Sequence, residues 1–254
     1  MLALFVLLSP APLARGQEAV PEPQQEVPSA LHANKLTFEE RADIHMARKE
    51  YSDAVDDYLS ALKTQKDGQA ALWNKLGIAY QQQEKFDRAR DAYNRSLRLD
   101  KNFAEAWNNL GTTYFLQDRA KKSVKYYQHA IRLKTEVASF HMNLGTGYYR
   151  TKKYEPAVNE YRIALTLDPN ILREHSAQGT VVDAHAGGEK LYFYLAKAFA
   201  SLGRTDEAIR YLRRAFEEGF HDKDLLGKDP DFQKISADPA YVELINNPPV
   251  AIKE

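Results

Sequence analysis

Apolar and polar positions along residues 73–164 follow a helical rhythm that restarts at a fixed step. Trp107, Leu110, Gly111 and Tyr114 stand at i, i+3, i+4 and i+7, which places all four on one helix face. The same set recurs upstream as Trp73, Leu76, Gly77 and Tyr80, and downstream as Leu144, Gly145 and Tyr148, with His141 in place of tryptophan. The three glycines lie 34 residues apart each time. A second helix follows each first one, marked by Ala89, Tyr93 and Ser96, by Ser123, Tyr127 and Ala130, and by Ala157, Tyr161 and Ala164. Large rings opposite Gly or Ala let two antiparallel helices approach closely, because a bulky group at Gly111 or Ala157 would force them apart. The stretch Leu167-Asp168-Pro169-Asn170 then stops the helix, since proline cannot continue it and asparagine or aspartate favours a turn. The pattern predicts stacked helix pairs, each burying its apolar faces against its neighbours.

Two weaker units flank these. Upstream, Phe38, Ala42, Tyr51, Ala54, Tyr58 and Ala61 keep the pattern without the glycine, and one extra residue near Gln69 separates this unit from the next. Downstream, Tyr192, Leu195, Ala196, Phe199, Ala208, Leu212 and Ala215 fit, with Gly203-Arg204 at the inter-helix turn and Gly219 placed to cap the last helix. The array aromatic-x2-Leu-Gly-x2-Tyr followed by small-x3-aromatic-x2-small resembles the tetratricopeptide repeat. The resemblance implies an all-α fold, a right-handed α-solenoid of about five helix pairs. Four pairs are expected over residues 35–171 and the fifth over 189–222. Between them, 172–188 breaks the step with a β-prone Gly179–Asp183 and a flexible Gly187-Gly188, and reads as an inserted excursion that contacts a partner. The tail, 223–254, repeats Asp-Pro at Asp229-Pro230 and Asp238-Pro239. Each aspartate can cap a short helix and turn Phe232 or Tyr241 back onto the last pair, so the tail is expected to act as a cap.

Composition narrows the function. The repeats and the cap take up nearly all of the 254 residues, and no glycine-rich phosphate loop, Gly-x-Ser-x-Gly elbow or paired-carboxylate spacing stands out, so no enzyme activity and no cofactor are expected. Lysine plus arginine equals aspartate plus glutamate at 35 each, which argues against nucleic acid and for a protein or peptide partner. His175, Asp183 and His185 lack the i, i+4 spacing of helix-borne zinc ligands, and no metal is expected. At the N-terminus, the apolar run Leu2–Leu8 precedes Ala14-Arg15-Gly16, whose small residues suit a cut before Gln17. Such a run reaches about 10 Å as a helix against roughly 30 Å of hydrocarbon, too short for membrane insertion. Residues 1–16 read as a signal peptide and 17–34 as a flexible linker, giving a periplasmic or secreted protein. Since no Lys or Arg precedes the run, either Met1 stands downstream of the true start or the run is an ordinary apolar tail of a cytoplasmic protein.

Candidate binding residues follow from the register. The resemblance implies that the first helix of each pair lines an inner groove. Its inward fifth, sixth and ninth positions are Asn74, Lys75 and Ile78, then Asn108, Asn109 and Thr112, then Met142, Asn143 and Thr146. Asparagines equivalent to Asn109 and Asn143 hold extended peptides in some members of the family. A side-chain amide has a donor and an acceptor and can bond both groups of a peptide backbone without reading its sequence. Phe115, Tyr149 and Arg150, one turn onward, add stacking or an anionic contact, and Lys75, Arg150 and Lys197 form an incomplete set for a terminal carboxylate. The alternative for both asparagines is a bond to neighbouring helices or water. A scaffold that binds a partner protein or extended peptide is the first expectation. A structural subunit of a homo-oligomer or of a secretion or pilus assembly complex is the second, and a regulatory arm of a separately encoded enzyme the third.

Overall fold

A computed structural model describes residues 36–172 and 184–251, and every regular element among them is a helix. α1 (Phe38–Ala47) pairs with α2 (Tyr51–Thr64), α3 (Gln69–Gln82) with α4 (Phe86–Leu99), and α5 (Ala104–Leu116) with α6 (Ala120–Leu133). α7 (Ala138–Arg150) pairs with α8 (Tyr154–Leu167) and α9 (Ala184–Ser201) with α10 (Thr205–Glu217). Three short helices close the chain: α11 (Lys223–Lys228), α12 (Pro230–Gln233) and α13 (Pro239–Asn246). Within a pair the two helices pack most extensively on each other, and the second helix of each pair packs on the first helix of the next. α3 also touches α5, and α5 touches α7, whereas successive second helices approach less closely, so the first helices line the inner side of the curve. This is the α-solenoid that the periodicity predicts. α9 begins at Ala184, inside the span read as an excursion. Residues 173–183, which hold most of that excursion, and 1–35, which hold the expected signal and linker, lie outside the described residues.

The step is written in the backbone. Lys49, Glu84, Asp118 and Lys152 occupy the turns inside the first four pairs with left-handed φ of 61, 57, 59 and 60°, and Gly203 does so in the fifth at 70°. Only Gly203 avoids the steric cost of that conformation, which a side chain raises by roughly 1–2 kcal/mol per residue. The links between pairs repeat as well: Asp100, Lys134 and Asp168 end α4, α6 and α8 with nearly identical φ/ψ of −138/102, −141/100 and −136/98°. The carboxylates of Asp100 and Asp168 accept from the backbone N–H of Asn102 and Asn170, both at 2.9 Å. The extra residue near Gln69 is absorbed at the start of α3, which has 14 residues where α5 and α7 have 13.

The glycine expected to admit a ring does so. Gly77, Gly111 and Gly145 lie against Tyr93, Tyr127 and Tyr161, and a Cβ placed on them would come within 2.4, 2.8 and 2.6 Å of the rings. All three tyrosines are fully buried, each contributing about 2–3 kcal/mol of apolar burial. Their hydroxyls donate to Gln81 Oε1 (3.3 Å), Thr112 Oγ1 (3.3 Å) and Thr146 Oγ1 (3.5 Å). Burial pushes all three phenols above their ordinary pKa and keeps them as donors. At the far end Asp229 and Asp238 cap α12 and α13 as expected, accepting from Asp231 N at 2.9 Å and Ala240 N at 2.8 Å. Phe232 is fully buried, 5.4 Å from the Phe193 ring on α9, with Tyr241 beyond it.

Candidate functional site

The inner-face residues are joined to one another. Asn143 Nδ2 donates to Asn108 Oδ1 at 2.9 Å, Asn108 Nδ2 to Asn109 Oδ1 at 3.3 Å, and Asn109 Nδ2 to Asn74 Oδ1 at 3.0 Å. The result is a relay of four amides across α7, α5 and α3. Both inter-helix steps run from the sixth position of one repeat to the fifth position of the preceding one, 35 residues back. Lys75 makes the same step to Glu39 Oε1 (2.8 Å), lengthened to 36 by the extra residue, and also bonds Asp43 Oδ2 (2.7 Å). Burial lowers the Lys75 pKa, but these two carboxylates outweigh it and the net shift is upward.

Depth separates the predicted residues. Asn143, Asn108 and Asn74 are 0, 3 and 7% exposed, and Thr112, Thr146 and Phe115 are also buried. Thr112 and Thr146 take the tyrosine hydroxyls, and Thr146 Oγ1 donates back to the Met142 carbonyl at 3.0 Å. Lys197 is buried in a triad with Glu155 (2.7 Å) and Asp229 (3.0 Å), between α8, α9 and the cap. Burial opposes its charge, and the two carboxylates outweigh that and raise its pKa. Arg150 pairs with Asp118 and sits over the Phe115 ring at 5.6 Å. Asn109 and Tyr149 are half-buried.

Register also finds a residue that the motif reading missed. The fifth-repeat equivalent of Asn109 and Asn143 is Tyr194, which stacks on Tyr154 at 4.6 Å and meets Tyr149 edge-on at 6.2 Å. Burial, then the neighbouring Tyr154 and Glu155, push the Tyr194 phenol up to about 12. All three rings remain half-exposed, so they form an aromatic platform on α7, α8 and α9.

His141 takes the first aromatic position of the fourth repeat and replaces a ring contact with polar ones. It is buried, with Nδ1 2.6 Å from Glu160 Oε2 and Nε2 2.9 Å from the Thr135 carbonyl. With Glu160 ionised both partners accept, and an imidazolium, which donates from both ring nitrogens, satisfies both contacts. Burial lowers the pKa, but Glu160 and Thr135 outweigh it and the net shift is upward. A raised folded-state pKa means that the stabilisation is complete below the unfolded value of about 6.5 and is lost as pH rises through the folded one. The unfolding midpoint of the chain is therefore expected to fall from pH 6 to pH 9 by more than that of His141→Gln. Parallel pH profiles for the two proteins would exclude this role.

The candidate metal residues His175 and Asp183 lie outside the described residues, as does the side chain of His185. In the α1–α2 turn His45, Glu50 and Asp53 bring ligand atoms within 4.8 Å of one another, and there His45 Nδ1 is bonded to Glu50 at 2.6 Å. No helix among the described residues is long and apolar enough to cross a membrane.

Family models described as tetratricopeptide repeat match residues 29–102, 74–136, 138–171 and 190–218. Among solved structures, a crystal structure of MamA aligns with a TM-score of 0.48 and 22% identity, over 70% of this chain and 93% of that one. MamA from residue 41 to the end, from Desulfovibrio magneticus RS-1, aligns with a TM-score of 0.50 and 15% identity, over 71% and 92%. YrrB, described as a TPR protein with an unusual peptide-binding site, aligns with a TM-score of 0.46 and 17% identity, over 72% and 84%. At these identities the likeness is one of fold. No curated protein matches the chain.

Proposed function

The chain belongs to the tetratricopeptide repeat family, and on that premise we propose that it is a non-enzymatic scaffold that lays an extended segment of a partner protein along the inner face of its first helices. Asn109 carries the reading. Its amide spends one N–H on Asn74 and one oxygen lone pair on Asn108, which leaves one donor and one acceptor on a half-exposed side chain whose orientation the relay holds. A peptide unit offers the complementary acceptor and donor. The tyrosine platform of Tyr149, Tyr154 and Tyr194 supplies an apolar surface for a side chain of the same segment, and Arg150 a cation at its edge.

The structure alters the variant that tests this. From sequence, Asn109 and Asn143 are equivalent; in the fold Asn143 is wholly buried, and its loss strands the Asn108 Oδ1 at a cost of about 1–3 kcal/mol. Asn109→Ala also takes one bond each from Asn74 and Asn108, but it removes a half-exposed side chain and is the more informative change, read beside its melting temperature. Peptides selected on an array with the full chain are expected to bind Asn109→Ala about tenfold more weakly, the equivalent of two modest hydrogen bonds. Unchanged affinity across the selected peptides would sink the inner-face reading.

A further inference from the structure

We propose that a cavity at the edge of the solenoid, between the α5–α6 and α7–α8 turns, is a second binding site that takes an acidic segment of a partner protein. The cavity measures about 520 Å³ and is lined by Asp118, Arg119, Lys121, Lys122, Arg150 and Lys152, with Ala120 and Thr151 completing the wall. That volume lies within the roughly 300–1,000 Å³ of ligand sites. Five of the lining side chains are cations and one is an anion. Asp118 is taken by Arg150, and Lys122 Nζ lies 4.0 Å from the centre of the Tyr114 ring. Arg119, Lys121 and Lys152 have no ion pair or side-chain hydrogen bond among the described residues.

The concentration of charge is local. Residues 118–153 carry nine cations and two carboxylates, a net of +7, although the whole chain is neutral. The compensating acids lie towards the ends: residues 36–57 hold seven carboxylates and three cations, and 217–243 hold eight and three. The basic residues also stand against local preference. At the second position of α4, α8 and α10 the chain places Asp87, Glu155 and Asp206, which suit the positive end of the helix dipole. The same register position in α6 is Lys121, beside Lys122 and with Arg119 at the cap, and no acid stands in that first turn. A repeat that gives up a favourable helix start to line a cavity with free cations points to an anion.

Distribution also selects the kind of anion. A long polyanion such as nucleic acid would run from the basic edge onto the acidic flanks, whereas a short run of carboxylates ends where the cations end. The site is separate from the inner face, since Arg119 and Lys152 belong to the turns, Lys121 to the first turn of α6, and only Arg150 is shared with the groove residues.

The test uses the full chain and a fluorescein-labelled hexaglutamate peptide, with hexaglutamine as the control, read by anisotropy. At about 50 mM salt, hexaglutamate is expected to bind at least about tenfold tighter than hexaglutamine, and to lose that advantage at about 500 mM. Arg119→Gln, Lys121→Gln and Lys152→Gln together should weaken it about tenfold without lowering the melting temperature. Asp118→Asn works in the opposite direction: it frees Arg150, tolerates the left-handed turn at φ 59°, and should tighten binding about threefold. Asn109→Ala should leave hexaglutamate binding unchanged, which separates this site from the inner face. Equal binding of the two peptides, or a folded triple variant with unchanged affinity, overturns the proposal. Tighter binding of a twelve-nucleotide oligothymidine than of hexaglutamate overturns it in favour of nucleic acid.

Discussion

Asp229→Ala is expected to lower the unfolding free energy by about 3–5 kcal/mol, the range for breaking a buried ion pair by removing one partner. The residue has two tasks. Its Oδ1 caps α12 through the Asp231 N–H at 2.9 Å, and its Oδ2 lies 3.0 Å from Lys197 Nζ. Lys197 and Asp229 are 6 and 7% exposed, so the ammonium left behind keeps only Glu155, whose side chain is largely in solvent. The loss falls where the last pair meets the cap, beside Phe232 and Phe193, and should uncover that apolar surface. Urea unfolding at pH 7 checks it. Combining Lys197→Met with Asp229→Asn should recover most of the stability, because a methionine needs no counter-charge and asparagine still caps the helix. A single-variant loss below about 1 kcal/mol, or a double variant no better than the single, would show that the pair does not hold the cap.

The same lysine shows what a periodic sequence discloses and what it conceals. The step of 34 located the helix pairs and the glycine–tyrosine contact, and local motifs located the turn at Gly203 and the two Asp-Pro caps, all of which depend on residues close in sequence. It assigned Lys197 to the groove by register, but did not bring in Asp229, because nothing periodic connects a repeat to its cap. The asparagines are a parallel case. Their shared position was legible; the relay was not, because it joins the sixth position of one repeat to the fifth of the preceding one. That offset of 35 comes from the displacement of one helix pair along the next and appears only when the pairs are stacked. Equal totals of acidic and basic residues concealed a third feature, since a sum has no memory of where the charges lie.

Gly77→Val is expected to cost about 3 kcal/mol or more, at the upper end for overpacking a close-packed core. A Cβ there meets Tyr93 at Cε1, Cδ1 and Cζ at 2.4, 2.6 and 2.9 Å, so the whole ring edge is in the way and not the tip of a flexible chain. The ring has little room to yield, being fully buried with its hydroxyl bonded to Gln81, which also accepts from Thr113 at 2.9 Å. Gly77→Ala separates two opposing effects. Alanine favours a helix over glycine by about 1 kcal/mol, so a net loss of about 1–2 kcal/mol requires that the clash outweigh that gain. The fifth pair suggests the compensation, since Ala196 and Leu212 occupy these two positions there. Introducing Tyr93→Leu into the Gly77→Ala background should therefore cost less than in the parent chain, with a coupling of at least about 0.5 kcal/mol in thermal or urea unfolding. Strictly additive losses would mean that the helices separate to accept the methyl group, and that the glycine does not set their spacing. A favourable coupling would mean that each repeat chooses the residue at one position by what stands at the other, which is how a chain can vary its repeats and keep its step.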